Sequence, residues 1–571
     1  MERMSRPLRN MRDHYSVVVV GSGYGGGIAA SRLSRADLDV CVLERGREIH
    51  PGEFPNTLLQ AADEMQAHTP GGHLGRSTAM FDVRIGDDIS VVVGCGLGGT
   101  SLINANVALR ADPWVFKDRR TQWPKELRDN GRQVLDPFYD RAASMLGTTT
   151  FPQDRPQPAK FVALQRSAKA LGVKAEIAPV NVTFEDGLNA AGVRQAGCTM
   201  CGDCVSGCNY GAKNTVLMNY LPDAHRHGAE IFTEIEVRFV RRRDDGRWLV
   251  AFDVLGTGDE RFGPPTSFIT ADTVVLAAGA IGSTEILLRS HAAGLSASDL
   301  LGHGFSGNGD FLAFAYDGRE PVHAIGLGSR SPGDQIGPCI TGMIPLTRKA
   351  KGKDESRDKH LLIEDGVIPG ALGLILPAAF RLAAEVIGEE PRLPSKLAHA
   401  FRAGMATAAG AYAGPIDKTL TYLVIGEDDE KGRVLLENDE ATISWPGVAD
   451  RPVFRQDSDR LERAAAALGA TYIPNPVWRL PFHRSLVTVH PLGGCGMGDD
   501  ATTGVVNHKG QVFAGERGTD VHEGLYVMDG AVIPMPIAVN PLLTISAIAE
   551  RACQLMADDH DWTIDLDGGG S

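Results

Sequence analysis

Hydrophobic and polar positions along the chain alternate in short blocks. Residues 15–20, Tyr-Ser-Val-Val-Val-Val, form a β-branched apolar run, which predicts a strand buried on both faces. Residues 28–33, Ile-Ala-Ala-Ser-Arg-Leu, predict a helix, and residues 39–43, Asp-Val-Cys-Val-Leu, a second strand. Further buried strands are predicted at 274–278 and at 525–528, and two more at 422–426 and 432–436 around an acidic turn. Residues 366–413 are rich in Ala and Leu, with basic Arg381, Arg392, Lys396 and Arg402 in the amphipathic part. Three readings stay open there: a buried helical hairpin, a lid for lipid-like substrates, or a helix pair lying on a membrane surface.

A chain of 571 residues exceeds one ordinary core, so two or three subdomains are expected. The net charge of −14 argues against a nucleic-acid partner. No stretch of about 18 apolar residues is available to span a bilayer. The first 13 residues are basic but carry no apolar signal region. Five of the nine cysteines (41, 95, 339, 495 and 553) are scattered, which fits a reducing compartment. The expectation is a cytoplasmic protein without a transmembrane span, touching a membrane peripherally if at all. The terminal Gly-Gly-Gly-Ser is left out of the fold reading.

Between the first predicted strand and helix stands Gly21-Ser-Gly23-Tyr-Gly-Gly26, the G-x-G-x-x-G pattern in its proper context. Gly21 permits the tight turn, Gly23 lets backbone approach a pyrophosphate, and Gly26 lets helix and strand pack closely. The helix N-terminus supplies amide donors for phosphate. Glu44 ends the second strand about 20 residues on, where an acidic residue suits an adenosine ribose. These features predict dinucleotide binding without separating FAD from NAD.

Four later segments separate them. Residues 94–104, Gly-Cys-Gly-Leu-Gly-Gly-Thr-Ser-Leu-Ile-Asn, resemble the first signature of the glucose–methanol–choline (GMC) flavoenzymes, and residues 279–288 the second. His490-Pro-Leu-Gly-Gly494 and the segment 539–547, beginning Val-Asn-Pro, resemble the family's carboxy-terminal active-site region. With residues 305–310, Phe-Ser-Gly-Asn-Gly-Asp, the resemblance is closest to the bacterial cholesterol-oxidase-like branch. It implies an α/β fold (α+β overall), with a Rossmann-like FAD-binding domain of the GMC type and a sheet-plus-helices substrate domain. It also implies that Gly98, Gly99, Ser101 and Asn104 touch FAD. Val237 would read the adenine, Gly279 would lie near the cofactor, and Asp529 and Gly530 would meet its ribityl or phosphate oxygens. Cys95, Thr284 and Glu285 depart from the family pattern. Ile103 stands where some members carry a flavin-linking histidine, so noncovalent FAD is expected.

Alcohol oxidation needs a positioned base for the hydroxyl proton and a cofactor held in geometry. The resemblance assigns the groups facing the flavin to His490 and Asn540, with Pro541 beside them. Glu364, in the apolar run 361–369, matches the segment where cholesterol oxidases place a proton-shuttling glutamate; a solvent-facing strand end is the other reading. The expected reaction oxidises the hydroxyl of a small hydrophobic or sterol-like alcohol to a carbonyl. Cholesterol-oxidase-type use of dioxygen, a GMC-fold lyase or photodecarboxylase, and a non-catalytic electron-transfer flavoprotein remain alternatives.

Cys198, Cys201, Cys204 and Cys208 follow C-x2-C-x2-C-x3-C, the spacing of bacterial ferredoxins around a 4Fe–4S cluster. Structural zinc sites pair C-x2-C knuckles across a longer loop, and ferredoxins usually place Pro where Asn209 follows. A cluster, zinc, and thiols or a disulfide without metal are the competing readings. A cluster would pass electrons from flavin to an external acceptor; a purely structural cluster that pins the loop is the other reading. The FAD domain is expected over 13–111, 198–312 and 484–557, with the cysteine loop at 198–208. Residues 313–483 are expected to form the substrate domain, and 112–197 a connecting segment over the flavin entrance.

Overall fold

The computed structural model describes residues 2–69, 71–117, 123–256, 266–328, 336–348, 359–373, 412–475 and 485–566. A parallel core sheet organises the dinucleotide side. Strand β1 (His14–Val20) pairs in parallel with β2 (Val40–Leu43) on one side and with Thr266–Leu276 on the other. Val18 is flanked in register by Cys41 and Val274. Glu230–Phe232 adds a parallel strand beyond β2, and Val521–Val527 adds one beside Thr266–Leu276. Trp248–Val254 and Ile235–Arg242 complete the edge antiparallel. Both faces of β1 are covered, which is why its sequence lacks the alternation of a half-exposed strand. Helix α1 (Tyr24–Ser34) packs on this sheet, on the terminal helix Leu542–Asp559 and on Tyr220–Arg226.

A second, antiparallel sheet carries the other half of the site. Its order is Thr471–Pro474, Phe311–Tyr316, Leu420–Ile425, Lys359–Gly366, Gly342–Arg348 and Glu176–Ile177. Helix Pro452–Ala467 lies on it and on helix Ala159–Ala170. Beneath the sheet, Lys160 and Asp365 form an ion pair of 2.8 Å with both side chains fully buried. Asp365 also accepts from the backbone N–H groups of Thr341 and Gly342, so the buried charges are fully partnered.

The strands expected at 422–426 and 432–436 are present, as Leu420–Ile425 and Gly432–Glu437, and they join different sheets on either side of the acidic turn. The Asp428 carboxylate accepts from Ser306 Oγ and from the N–H groups of Gly307 and Gly309, which ties the turn to another loop. In segment 112–197, helix Asp136–Met145 packs on Leu542–Asp559 and strand Glu176–Ile177 edges the second sheet; none of its described residues lines the main cavity. Of the Ala/Leu-rich segment 366–413, residues 374–411 lie outside the described residues. No described helix is long and apolar enough to cross a membrane.

Candidate active site

A cavity of about 500 Å³ runs from the end of β1 to the face of the second sheet. At its first end the glycines divide by role. A Cβ on Gly25 would fall 1.5 Å from the carbonyl oxygen of Met528, and one on Gly26 would fall 2.0 Å from that of Gly21. Those two positions are closed by backbone packing. A Cβ on Gly23 would meet nothing nearer than Gly99 Cα at 4.0 Å, so its bareness leaves open space at the helix N-terminus. Gly21 turns with φ +88°. Glu44 accepts from the N–H groups of Ser22 at 3.0 Å and Gly46 at 2.8 Å while lining the cavity.

Gly21, Gly23, Glu44 and Val237 line this end; Gly99, Asn104, Gly279, Asp529 and Gly530 also border the cavity. Asp529 accepts from Gly279 N–H at 2.9 Å and from Ser283 Oγ, joining the loop after Val521–Val527 to helix Gly279–Ala292. Burial pushes its carboxyl up to about 6. Asn104 donates to the Tyr24 hydroxyl at 2.7 Å, which leaves its Oδ1 buried without a partner. Gly26, Gly98 and Ser101 do not line the cavity. Ser101 Oγ is spent internally, donating to Gly98 O and accepting from Val216 N–H. The sequence reading missed Arg45, Asp82 and Arg84 at this cavity, where both guanidiniums are paired with the Asp82 carboxylate. Arg84 Nη1 is buried without a hydrogen-bond partner. An open glycine turn at a helix N-terminus, an acidic strand end and an orphaned amide oxygen fit an FAD lying along this groove.

At the other end, His490, Asn540 and Pro541 line the cavity. His490 Nδ1 lies 2.8 Å from Asp310 Oδ1, which fixes the ring and leaves Nε2 as the nitrogen with work to do. Asp310 is itself held, accepting through Oδ2 from Thr488 Oγ1 and from the N–H groups of Val489 and His490. Burial alone would lower the imidazole pKa, but the Asp310 carboxylate outweighs it and raises it. Asn540 donates to Glu364 Oε2 at 3.3 Å; Asn540 Oδ1 and Glu364 Oε1 are buried without partners. Glu364 sits mid-strand between Met343 and Leu423, fully buried and just behind the cavity wall, which overturns the solvent-facing reading. Burial pushes its carboxyl up to about 8. The turn carrying Asn540 is braced by Asn308, which accepts from the N–H groups of Ile537 and Ala538 and donates to Val539 O. Asn308 and Asp310 were visible only as part of a resemblance; their roles appear when loop 305–310 is seen between the two catalytic turns.

The four clustered cysteines border a separate small cavity together with Asp203, Tyr210 and Lys213. All nine cysteines are free. Among the described residues no group of three His, Cys, Asp or Glu side chains is placed to hold a metal ion.

The fold and cavity define a dinucleotide-binding oxidoreductase with a histidine–asparagine pair at one end. The GMC oxidoreductase profiles match residues 24–306 and 451–549, and the chain belongs to that family. It is an FAD-dependent, alcohol-oxidising enzyme. Over 95% of its length it is 27% identical to a cholesterol oxidase of Mycobacterium tuberculosis, covering 91% of that protein. Over 93% it is 23% identical to the long-chain-alcohol oxidase FAO4B of Arabidopsis thaliana, covering 66% of it. Among solved structures, pyridoxine 4-oxidase from Mesorbium loti matches with a TM-score of 0.56 at 18% identity, covering 95% of this chain and 99% of that one. A fungal aryl-alcohol oxidase matches at 0.58 and 16%, covering 96% and 100%. At those identities the two structures establish the fold alone.

Proposed function

We propose that the enzyme oxidises the hydroxyl of a bulky, mostly apolar alcohol, sterol-like or long-chain, to the carbonyl. His490 and Asn540 at one end of the dinucleotide groove, with Glu364 bonded to Asn540 behind them, carry this reading. Apolar walls from Leu312, Ile340, Val367 and Leu423 support the apolar substrate, as does the likeness to cholesterol and long-chain-alcohol oxidases. FAD held by Gly23, Glu44, Asn104 and Gly279 would supply an acceptor for the carbinol hydride. With Nδ1–H donated to Asp310, His490 presents a bare Nε2 to the substrate hydroxyl and takes its proton. The imidazolium that results is paired with Asp310. Asn540, anchored on Glu364, keeps a second N–H for the substrate oxygen. Burial holds Glu364 protonated near pH 7, so behind the cavity wall it meets the Asn540 amide as a neutral acceptor. The names of the relatives favour dioxygen as final acceptor, whereas the cysteine cavity favours a 4Fe–4S cluster and a one-electron outlet.

An anaerobic spectrum of the purified holoenzyme, recorded before and after sterols and long-chain alcohols are added, tests the reading. Flavin bands should bleach with at least one class. His490→Ala should slow bleaching about 10²–10⁴-fold while the protein still purifies with FAD. Flavin that stays oxidised with every alcohol refutes the substrate class, and loss of FAD from the variant makes His490 structural.

A further inference from the structure

The cysteine cavity and the flavin groove share a wall. The residue that follows Cys204, Val205, lines the flavin groove, so the separation there is one residue thick. Cys339 lines the groove too, and its N–H donates to Cys204 Sγ at 3.4 Å. A third link is Lys213, which borders the cysteine cavity with its side chain wholly buried. Its ammonium donates to Cys204 O at 2.9 Å, to Leu102 O at 2.9 Å and to Asn104 O at 2.7 Å, and Asn104 lines the groove. All three ammonium hydrogens are thereby used to lock the cysteine loop against the first flavin signature.

The loop has the shape of a cradle. Met200, Gly202 and Gly207 take positive φ (+60°, +78° and +94°), which folds the chain back on itself between the cysteines. Cys198 Sγ accepts from the N–H of Met200 at 3.4 Å. Asp203 pins the loop to the substrate side by accepting from the N–H groups of Gly328 and Gly370. Cys204 is buried beside the groove, whereas Cys198, Cys201 and Cys208 are partly open and neighbouring Tyr210 is exposed. Cys198, Cys201, Cys204 and Cys208 all border one small cavity, and their C-x2-C-x2-C-x3-C spacing is the one that places four thiolates around a cubane. The N–H groups aimed at two of the sulfurs are of the kind that set cluster potentials.

We infer that Cys198, Cys201, Cys204 and Cys208 bind a 4Fe–4S cluster, clamped by Lys213 one residue from the flavin groove, which serves as a one-electron outlet on its open side. The inference rests on the alcohol-oxidising reading for its electrons. Each alcohol loses two electrons and two protons; the electrons leave singly through the cluster to two equivalents of a one-electron haem carrier, and the protons go to solvent.

The test uses full-length holoenzyme purified without oxygen. About four irons and four acid-labile sulfides per chain are expected, with a reduced-cluster paramagnetic resonance signal after dithionite. Cys201→Ser should lose most of the iron. Adding alcohol under argon should raise the same signal, and mammalian cytochrome c should be reduced at two equivalents per alcohol consumed. Absence of iron, stoichiometric zinc, or disulfides mapped among the four cysteines would overturn the site, and the wild-type analysis decides this even if the serine variant does not fold. Flavin that bleaches with alcohol in a protein without iron sinks the cluster alone. Iron without any bleaching sinks the alcohol reading alone. A cluster that stays oxidised after the flavin has bleached overturns the outlet.

Discussion

Glu364 is a fully buried carboxyl with one oxygen bonded to an amide and the other without a hydrogen-bond partner in the protein. Its neutral form is the stable one up to about pH 8. The sign follows for stability. The folded pKa lies above the ordinary carboxylate value of about 4.5, so across pH 4.5–8 the fold holds a proton that the unfolded chain has released. Stability contributed by this group is complete at low pH and is lost as pH rises through that window. Glu364→Gln should remove the slope, melting closer to wild type at pH 5 and above it at pH 9; parallel melting curves across pH would contradict the assignment. The same variant should flatten any limb near pH 8 in the rate profile. His490 and Asn540 were legible because each sits in a local Pro-containing motif. Asp310 was not, because an aspartate's sequence neighbours do not reveal which imidazole it meets 180 residues away.

The β1–α1–β2 unit was readable in full at the level of elements. Its signals are local: a β-branched run, a glycine turn, helix formers and a second apolar run. The same unit allows a test that separates folding from binding. Gly23→Ala adds a methyl to open space, so the variant should melt as wild type does without FAD but hold FAD about tenfold more weakly, some 1.4 kcal/mol. Gly25→Ala drives its methyl into the Met528 carbonyl and should give no folded protein. Thermal melts and the flavin-to-protein absorbance ratio read both outcomes; a folded, FAD-replete Gly25→Ala would show that this turn yields more than its packing implies. The strands at 422–426 and 432–436 show the opposite limit. Their existence was local information, but of their partners only Glu440–Ser444 is a sequence neighbour; Phe311–Tyr316, Lys359–Gly366 and His303–Phe305 come from far along the chain.

Across the whole molecule the active site forms where the parallel sheet, which carries the dinucleotide motifs, faces the antiparallel sheet, which carries Glu364. The second sheet is supported from below by Lys160 and Asp365. Lys160→Met would leave a fully buried carboxylate uncompensated and should cost about 3–5 kcal/mol, seen as a large fall in melting temperature. Restoration by Lys160→Met with Asp365→Leu would show that the loss came from the orphaned charge rather than from packing.

By itself the sequence determined the dinucleotide unit, the family's signature segments, the identities of the histidine and asparagine, and the ferredoxin spacing of the cysteines. Each is written in neighbouring residues, where chain connectivity holds the parts together. Only the tertiary structure decided that Glu364 is buried against Asn540, that Asp310 and Asn308 hold the two catalytic turns, and that the cysteine loop shares a wall with the flavin groove. Those relations join residues more than a hundred positions apart. They are fixed by the packing of two sheets and by the need of buried polar groups for partners, which no local pattern records.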